Sequence, residues 1–309
     1  MRRFTRCRRN LAGGLLAFAL VSTPLRSWCE QPVFRLGLTS GSLMGVDERD
    51  ARAALEVWLR KVSTDLRTGF VPQAVWYDTP ESVCAAAAAG DVDAFAMSCL
   101  EYLRHSGGFW GTPDLCGVSG GRTGRSYLLL VRREDGISDL ADLRGKNLAV
   151  ETGSEVSTPL LWLDVQLMKA GHGSSTGFFG RVSREPKASR AALPVFFGQA
   201  DACLVTEHSF ETIAELNPQV GEKLRVLSRS PEFPWGVLCF RKGPSQVDRT
   251  EVMQDAMEMH LNPQGRQALM LWKSEKLVPY KPAYIRSLKQ LVEDYDRLKA
   301  ALSLSLRAR

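Results

Sequence analysis

Ala87-Ala88-Ala89-Gly90-Asp91-Val92-Asp93-Ala94-Phe95-Ala96 has a counterpart farther along the chain, Val195-Phe196-Phe197-Gly198-Gln199-Ala200-Asp201-Ala202-Cys203-Leu204. In both, a helix stops at a glycine, the residue that accepts the left-handed conformation of a C-cap. In both, an aspartate then precedes a buried apolar strand. Outward from the first copy, Thr79-Pro80-Glu81 opens the helix: Thr79 caps it and Pro80 suits its first turn. The alanine run that follows is a strong helix former rather than a disordered tract. Ala74-Val75-Trp76-Tyr77 reads as the strand before that helix and Ala94-Phe95-Ala96-Met97 as the strand after it. Farther upstream, Val33–Leu38 is a first strand, and Ala54, Leu55, Trp58, Leu59 and Val62 have the spacing of a helix over 50–61.

The second copy sits in the same surroundings. Asn147–Val150 is a strand, helices are predicted over 155–170 and 186–192, and Asp201–Val205 is a strand followed by a helix over 207–215 and a strand at Leu224–Ser228. Two long apolar strands, Ser126–Arg132 and Trp235–Arg241, join the halves; a short helix over 138–143 follows the first. Three helices close the chain, over 246–260, 264–274 and 284–300. Alternating strands and helices call for parallel sheets with crossover helices. The expected fold is therefore α/β, with two Rossmann-like lobes, a ligand cleft between them and two hinge crossings. Lobe one takes 30–128 and lobe two 129–236. Residues 237–309 return through the hinge, and their helices are expected to pack on lobe one.

Residues 1–29 read as a signal peptide that sends the protein to the periplasm. Arg2, Arg3, Arg6, Arg8 and Arg9 make a basic start, and Leu11–Ser22 is an apolar run too short to span a bilayer comfortably. Ser27-Trp28-Cys29 offers a cleavage site; an uncleaved anchor and a lipidated Cys29 are the alternatives. Arg8-Arg9-Asn10-Leu11 matches a twin-arginine signal in part. Six of the 40 lysines and arginines lie in this segment, which has no acid, leaving 34 basic against 34 acidic residues. That balance excludes a bulk attraction to nucleic acid or anionic lipid, so any anion selectivity must be local. Cys84, Cys99, Cys116, Cys203 and Cys239 remain, odd in number and without a C-x-x-C, which argues against a disulfide framework. One bridge, Cys99 with Cys116, is compatible with an oxidising compartment.

Ligands of open α/β sheets bind beyond the carboxyl ends of the strands. Thr39-Ser40-Gly41-Ser42, the turn at Ser98–Tyr102, Glu151–Thr158 and Thr206-Glu207-His208 lie there. Hydroxyls at helix starts offer O–H and N–H donors to an anion without a lysine or arginine. The competing account is that Ser98, Ser154 and Thr206 only cap their own helices. Tyr77, at a strand end, is a candidate ligand contact, whereas Trp76 and Trp235 read as core. His105, His172, His208 and His260 lack metal-pair spacing. Gly120–Arg125 lacks the dinucleotide and P-loop fingerprints, and no G-x-S-x-G occurs. No metal, no cofactor and no catalysis are expected.

Gly90-Asp91-Val92-Asp93, Leu140-Ala141-Asp142-Leu143-Arg144-Gly145-Lys146, Phe178-Phe179-Gly180, Gly198-Gln199-Ala200-Asp201-Ala202 and Asn262-Pro263-Gln264-Gly265-Arg266 occur in an order and spacing that resemble a known family. It is the phosphate, phosphite and phosphonate-binding group of substrate-binding proteins for ABC transporters, with the type II periplasmic-binding-protein fold. The resemblance runs over roughly 33–275. It implies a monomer that captures a small polar or anionic ligand and docks on an inner-membrane ABC permease; a ligand sensor for a receptor kinase is the alternative, and an enzyme on the same fold is the third. In the family a Ser-Ser-Thr-Ser type turn holds the phosphonate oxygens. Here Ser154, Glu155, Val156 and Ser157 stand there, with two hydroxyls kept and a carboxylate introduced. An acidic residue for a ligand amine corresponds to Thr206, beside Glu207, and a family tyrosine corresponds to Tyr102. The candidate ligand-binding residues are Ser40, Tyr77, Ser98, Tyr102, Ser154, Glu155, Ser157, Thr158, Thr206 and Glu207.

Overall fold

A computed structural model describes residues 31–309 except 40–41, 43–47, 66–69, 106–110, 152–156, 244, 246 and 308–309. β1 (Val33–Thr39), α1 (Glu48–Asp65), β2 (Val71–Tyr77), α2 (Pro80–Ala89), β3 (Ala94–Ser98), α3 (Cys99–His105) and β4 (Gly111–Val118) come first. β5 (Gly124–Arg125) leads to β6 (Tyr127–Arg132), β7 (Asn147–Glu151), α4 (Ser157–Lys169), α5 (Ser175–Phe178), β8 (Arg181–Glu185), α6 (Ala188–Phe196), β9 (Ala202–Thr206), α7 (Glu207–Leu216), α8 (Pro218–Lys223) and β10 (Leu224–Arg229). β11 (Phe233–Pro234), β12 (Gly236–Arg241), α9 (Arg249–Glu258), α10 (Pro263–Met270), β13 (Lys276–Pro279) and α11 (Arg286–Arg307) complete the chain.

Two sheets result, in the orders β13-β4-β12-β3-β1-β2 and β10-β6-β9-β7-β8. Each long connecting strand enters a sheet antiparallel, β12 beside β3 and β6 beside β9. The remaining neighbours of β1 and β7 are parallel, as crossover helices require. β5 and β11 pair with each other, Gly124 with Pro234 and Arg125 with Phe233, so the two crossings between the sheets form one antiparallel ribbon. A Cβ on Gly124 would lie 2.7 Å from the Phe233 carbonyl, so only glycine lets the two chains approach this closely.

The repeated sequence pattern is a repeated structure. Gly90 and Gly198 both adopt positive φ, 85° and 76°. Asp93 Oδ2 accepts the Arg35 N–H at the start of β1 (2.9 Å), and Asp201 Oδ2 accepts the Asn147 N–H at the start of β7 (2.8 Å). Each aspartate thereby fixes the register of the strand beside it. The α2 cap forms as the sequence predicts: Thr79 Oγ1 accepts the Ser82 N–H at 3.2 Å and the Ser82 hydroxyl reaches back.

Several elements were not legible in the sequence. β4 holds Pro113, which sits at a bulge where Asp114 drops out of register with β12. The Asp114 carboxylate fills the gap by accepting the Phe240 N–H (2.9 Å) and pairing with Arg249. β8, Arg181-Val182-Ser183-Arg184-Glu185, is a polar edge strand with little burial on either face. The helix expected over 138–143 is a single turn at Ala141–Leu143, because Asp142 and Asp139 take the free N–H groups of Ser138 and Ala141.

One apolar cluster runs behind the ribbon, from Val83 and Phe95 through Cys239 and Leu288 to Leu163 and Trp162. α11 packs on both α4 and α3, so the last helix is shared between the halves rather than confined to lobe one as expected. Asp294 of α11 ties it to α4 through Lys169 (2.7 Å), and Arg297 and Gln290 also bond its carboxylate. Cys84, Cys99, Cys116, Cys203 and Cys239 are free and buried, so the Cys99–Cys116 bridge does not form. Burial pushes the Cys116 and Cys84 thiols up to about 11, which makes them small apolar side chains rather than nucleophiles. Among the described residues no helix is long and apolar enough to cross a membrane.

Candidate functional site

The carboxyl ends of β3 and β9 each meet the start of a strand that follows the ribbon. Gly236 pairs with Ser98, and the Cys99 N–H donates to the Trp235 carbonyl (2.9 Å). Tyr127 pairs with Thr206, and the Glu207 N–H donates to the Ser126 carbonyl (2.9 Å). The first helical residue after each strand is thus bonded to the residue that enters the opposing hinge strand.

Ser98 is buried and caps α3: its Oγ accepts the Glu101 N–H (3.1 Å), and Glu101 Oε2 accepts the Ser98 N–H (2.9 Å). This is a closed capping box. Thr206 caps α7 by accepting the Ser209 N–H at 3.2 Å. The acid at this end comes from a different strand. Glu151, at the end of β7, accepts the Thr206 N–H (2.9 Å) and the Ser209 hydroxyl (3.1 Å). With two donors on its oxygens, Glu151 presents less bare negative charge to the cleft than its position suggests.

Glu207 pairs with Arg229 and with Arg122 (3.8 Å), so its carboxylate is committed to the hinge. Tyr77 and Val75 pack against the apolar cluster on the α2 side of the sheet, and Tyr102 packs into the same cluster. Burial, then the Asp91 charge, raise the Tyr77 phenol; burial, then Cys239 and Cys99, raise that of Tyr102. Thr158 is buried as the second residue of α4. Ser40, Ser154 and Glu155 lie outside the described residues, as does the Ser157 side chain. Of the candidates that are described, Ser98 lies beside Gly236 and Thr206 beside Tyr127, Glu207 is paired with Arg229 and Arg122, Thr158 is buried, and both tyrosines pack against the apolar cluster.

Sequence reasoning passed over three features of this region. The first is Arg125, whose guanidinium stacks on the Trp235 ring at 4.5 Å within the ribbon. The second is Lys273, which has φ 45° and alone has positive φ among the described non-glycine residues. The Lys273 N–H donates to the Met270 carbonyl (2.9 Å) and the Ser274 N–H to the Leu269 carbonyl (3.0 Å). That is a Schellman ending of α10 with lysine at the position glycine usually holds. Its ammonium is held below the usual lysine range by desolvation, then by Arg125, with Glu151 acting in the opposite sense. Its neighbour Ser274 is packed so tightly on Gly117 that a Cβ there would collide with its Oγ and come within 3.2 Å of Trp235 Nε1.

The third feature is an apolar cavity of about 260 Å³ on the α1, α9 and α10 side of the first sheet. Ser98, Trp235, Ser274, Trp272 and Leu269 are among its walls. Two buried polar atoms in its wall, Trp272 Nε1 and Asp255 Oδ2, have no hydrogen-bond partner among the described residues. Burial, then Glu251 and Glu258, raise the Asp255 carboxyl above the usual aspartate range. No His, Cys, Asp and Glu group suited to a metal occurs among the described residues.

Comparison with solved structures gives the same architecture. The protein XAC2383 of Xanthomonas citri bound to ATP superposes with a TM-score of 0.59 at 18% identity, covering 87% of this chain and 98% of that one. A binding protein component of an ABC phosphonate transporter from Pseudomonas aeruginosa gives 0.60 at 17% identity, covering 88% and 89%. PhnD1 of Prochlorococcus marinus in complex with methylphosphonate gives 0.55 at 11%, covering 86% and 99%. The fold is that of the type II periplasmic binding proteins. No curated protein matches the chain in sequence. The family model described as "ABC transporter, phosphonate, periplasmic substrate-binding protein" matches residues 47–284.

Proposed function

We propose what this chain does from the family it belongs to, the periplasmic substrate-binding proteins of phosphonate ABC transporters. It captures a small oxyanion-type ligand, phosphonate- or phosphate-like, in the cleft between its lobes and presents it to an inner-membrane permease without changing it chemically. The observation that carries this reading is the ribbon of β5 and β11, beside which the strand ends of both lobes converge. Two paired crossings leave the lobes free to bend about one axis, the motion by which binding proteins close on a ligand. The lobes are taken to divide at this ribbon, and the turn at 151–158 to supply hydroxyls and helix N–H groups on the second-lobe side. The signal peptide over 1–29 and a monomeric state complete the proposal.

The test is a thermal-stability screen of the mature chain against methylphosphonate, 2-aminoethylphosphonate, phosphite, phosphate and sulfate. A ligand at 100 times its Kd adds about 2.7 kcal/mol of stability. Stabilisation by a phosphonate or phosphate, with the anion recovered unaltered, is the expected result. Turnover of the anion would contradict the absence of catalysis. Cell fractionation of the full-length protein tests export: mature protein in the periplasm supports it, and cytoplasmic protein retaining Met1 contradicts it.

A further inference from the structure

The two faces of the first sheet are packed unlike each other. Toward α2 and α3, Phe95 and Met97 of β3 and Cys239 of β12 belong to one continuous apolar cluster. Toward α1, α9 and α10, the buried residues fall into three separate clusters, around Leu55 and Ala96, around Phe34 and Val252, and around Met259 and Leu269. The cavity of about 260 Å³ lies among them and takes Ala96, Phe34, Val252, Met259 and Leu269 into its walls. Protein interiors are packed as densely as organic crystals, and an apolar cavity of ~150 Å³ already holds benzene. We propose that this cavity is a binding site for a second ligand, a neutral, elongated apolar molecule that carries hydroxyl groups, distinct from the anion proposed for the cleft.

The sheet register gives the cavity its shape. Leu36 lies opposite Ala94, so Phe34 stands level with residue 92, and Ser98, which also lines the cavity, is six residues farther along. Six residues of strand span about 20 Å, the length of an extended chain rather than of a single ring. Leu261 lines the cavity and is 66% exposed, so the cavity opens to solvent beside the turn between α9 and α10. The lining fixes the charge of the occupant. Among its described residues Asp255 and Glu258 are acidic and none is a lysine, arginine or histidine, so nothing there offsets an anionic head. Two buried polar atoms of lining residues, the donor Trp272 Nε1 and the acceptor Asp255 Oδ2, have no partner among the described residues, whereas buried polar groups are ordinarily satisfied. An ammonium group serves the carboxylate but offers the indole N–H no lone pair. A hydroxyl has both capacities, donating to Asp255 and accepting from Trp272.

Tryptophan fluorescence reports occupancy, because Trp58, Trp235 and Trp272 line the cavity. The mature chain would be titrated with 1-hexanol, 1-octanol and 1-decanol, and with 1-chlorooctane and octanoate as controls. Affinity should rise about fourfold per added methylene along the alcohols, and octanoate should bind at least tenfold more weakly than 1-octanol, since its charge enters without a cationic partner. Ala96→Leu, which places a larger side chain in the cavity, should abolish binding without lowering the thermal midpoint of the ligand-free protein; Ala256→Leu repeats the test from α9 if β3 does not accept leucine. Trp272→Phe, followed by calorimetry, should weaken 1-octanol about fivefold and leave 1-chlorooctane unchanged. Affinity indifferent to chain length, octanoate bound as tightly as 1-octanol, or wild-type affinity in both leucine variants would each overturn the assignment. None of these outcomes bears on anion capture in the cleft, which the stability screen tests separately.

Discussion

Ser98 and Thr206 occupy equivalent places in the two lobes, and different acids hold them. Both end a buried strand, both cap the helix that follows, and both stand beside a hinge strand that enters antiparallel. Ser98 is locked by Glu101, three residues on in its own helix. Thr206 is locked by Glu151, from the neighbouring strand β7. The first arrangement is local and forms with the helix. The second ties β7, β9 and α7 into one unit, so the second lobe presents its strand ends as a single connected surface. The aspartates at the other end of these strands differ as well. Asp93 is the more enclosed, bonding Arg35 and Ser245 and pairing with Arg241 at 3.6 Å. Asp201 bonds Asn147 and pairs with the exposed Lys146.

The aspartates should separate the lobes most strongly. Asp93→Ala is expected to cost about 3 kcal/mol and Asp201→Ala about 1.5 kcal/mol, since the better buried carboxylate leaves more donors unsatisfied. Urea unfolding measures both, and equal losses would remove this asymmetry. Glu151→Ala should cost about 2 kcal/mol by leaving the Thr206 N–H without its acceptor, and should also weaken anion binding by loosening the α7 cap. Glu101→Ala should cost about 1 kcal/mol, an ordinary capping loss, and hydrogen exchange should then rise at the start of α3 alone. An exchange increase spread over β3 would contradict a local role for Glu101.

Asp294 gives the smallest effect and the one with a pH signature. The hydrogen bond from Lys169 lowers its carboxyl pKa, burial opposes this, and Gln290, the Lys169 charge and Arg297 lower it further. A lowered native pKa contributes stability that is complete above the unfolded-state value and is lost as pH falls through the native one. Asp294→Asn should therefore reduce stability near neutrality, with the difference from the wild type closing below about pH 4. A difference constant with pH would show that packing of α11, and not its charge, ties the last helix to α4.

What the sequence revealed and what it hid divide along the same line between local and distant partners. The α2 cap at Thr79, the glycines at 90 and 198 and the capping role weighed for Ser98 are satisfied by residues within a turn, so composition and periodicity expose them. β4 was hidden because Pro113 is tolerated only at a bulge whose missing bond is supplied by Asp114. β8 was hidden because an edge strand with polar faces has no alternation to detect. Near the ribbon, Glu151 acts on residues of another strand and Arg125 meets Trp235 only through the folded ribbon, so neither has a local signal. Tyr77 was chosen for standing at a strand end and Tyr102 for matching a family tyrosine, whereas their packing against the apolar cluster depends on residues distant in sequence.

Closure is the central claim, and small-angle scattering tests it most directly. The mature protein would be measured alone and saturated with the tightest anion of the stability screen. A smaller radius of gyration in the bound form, reversed when the anion is dialysed away, is what two lobes bending at the β5–β11 ribbon produce. An unchanged radius at demonstrated saturation would contradict capture by closure and place the ligand elsewhere on the molecule.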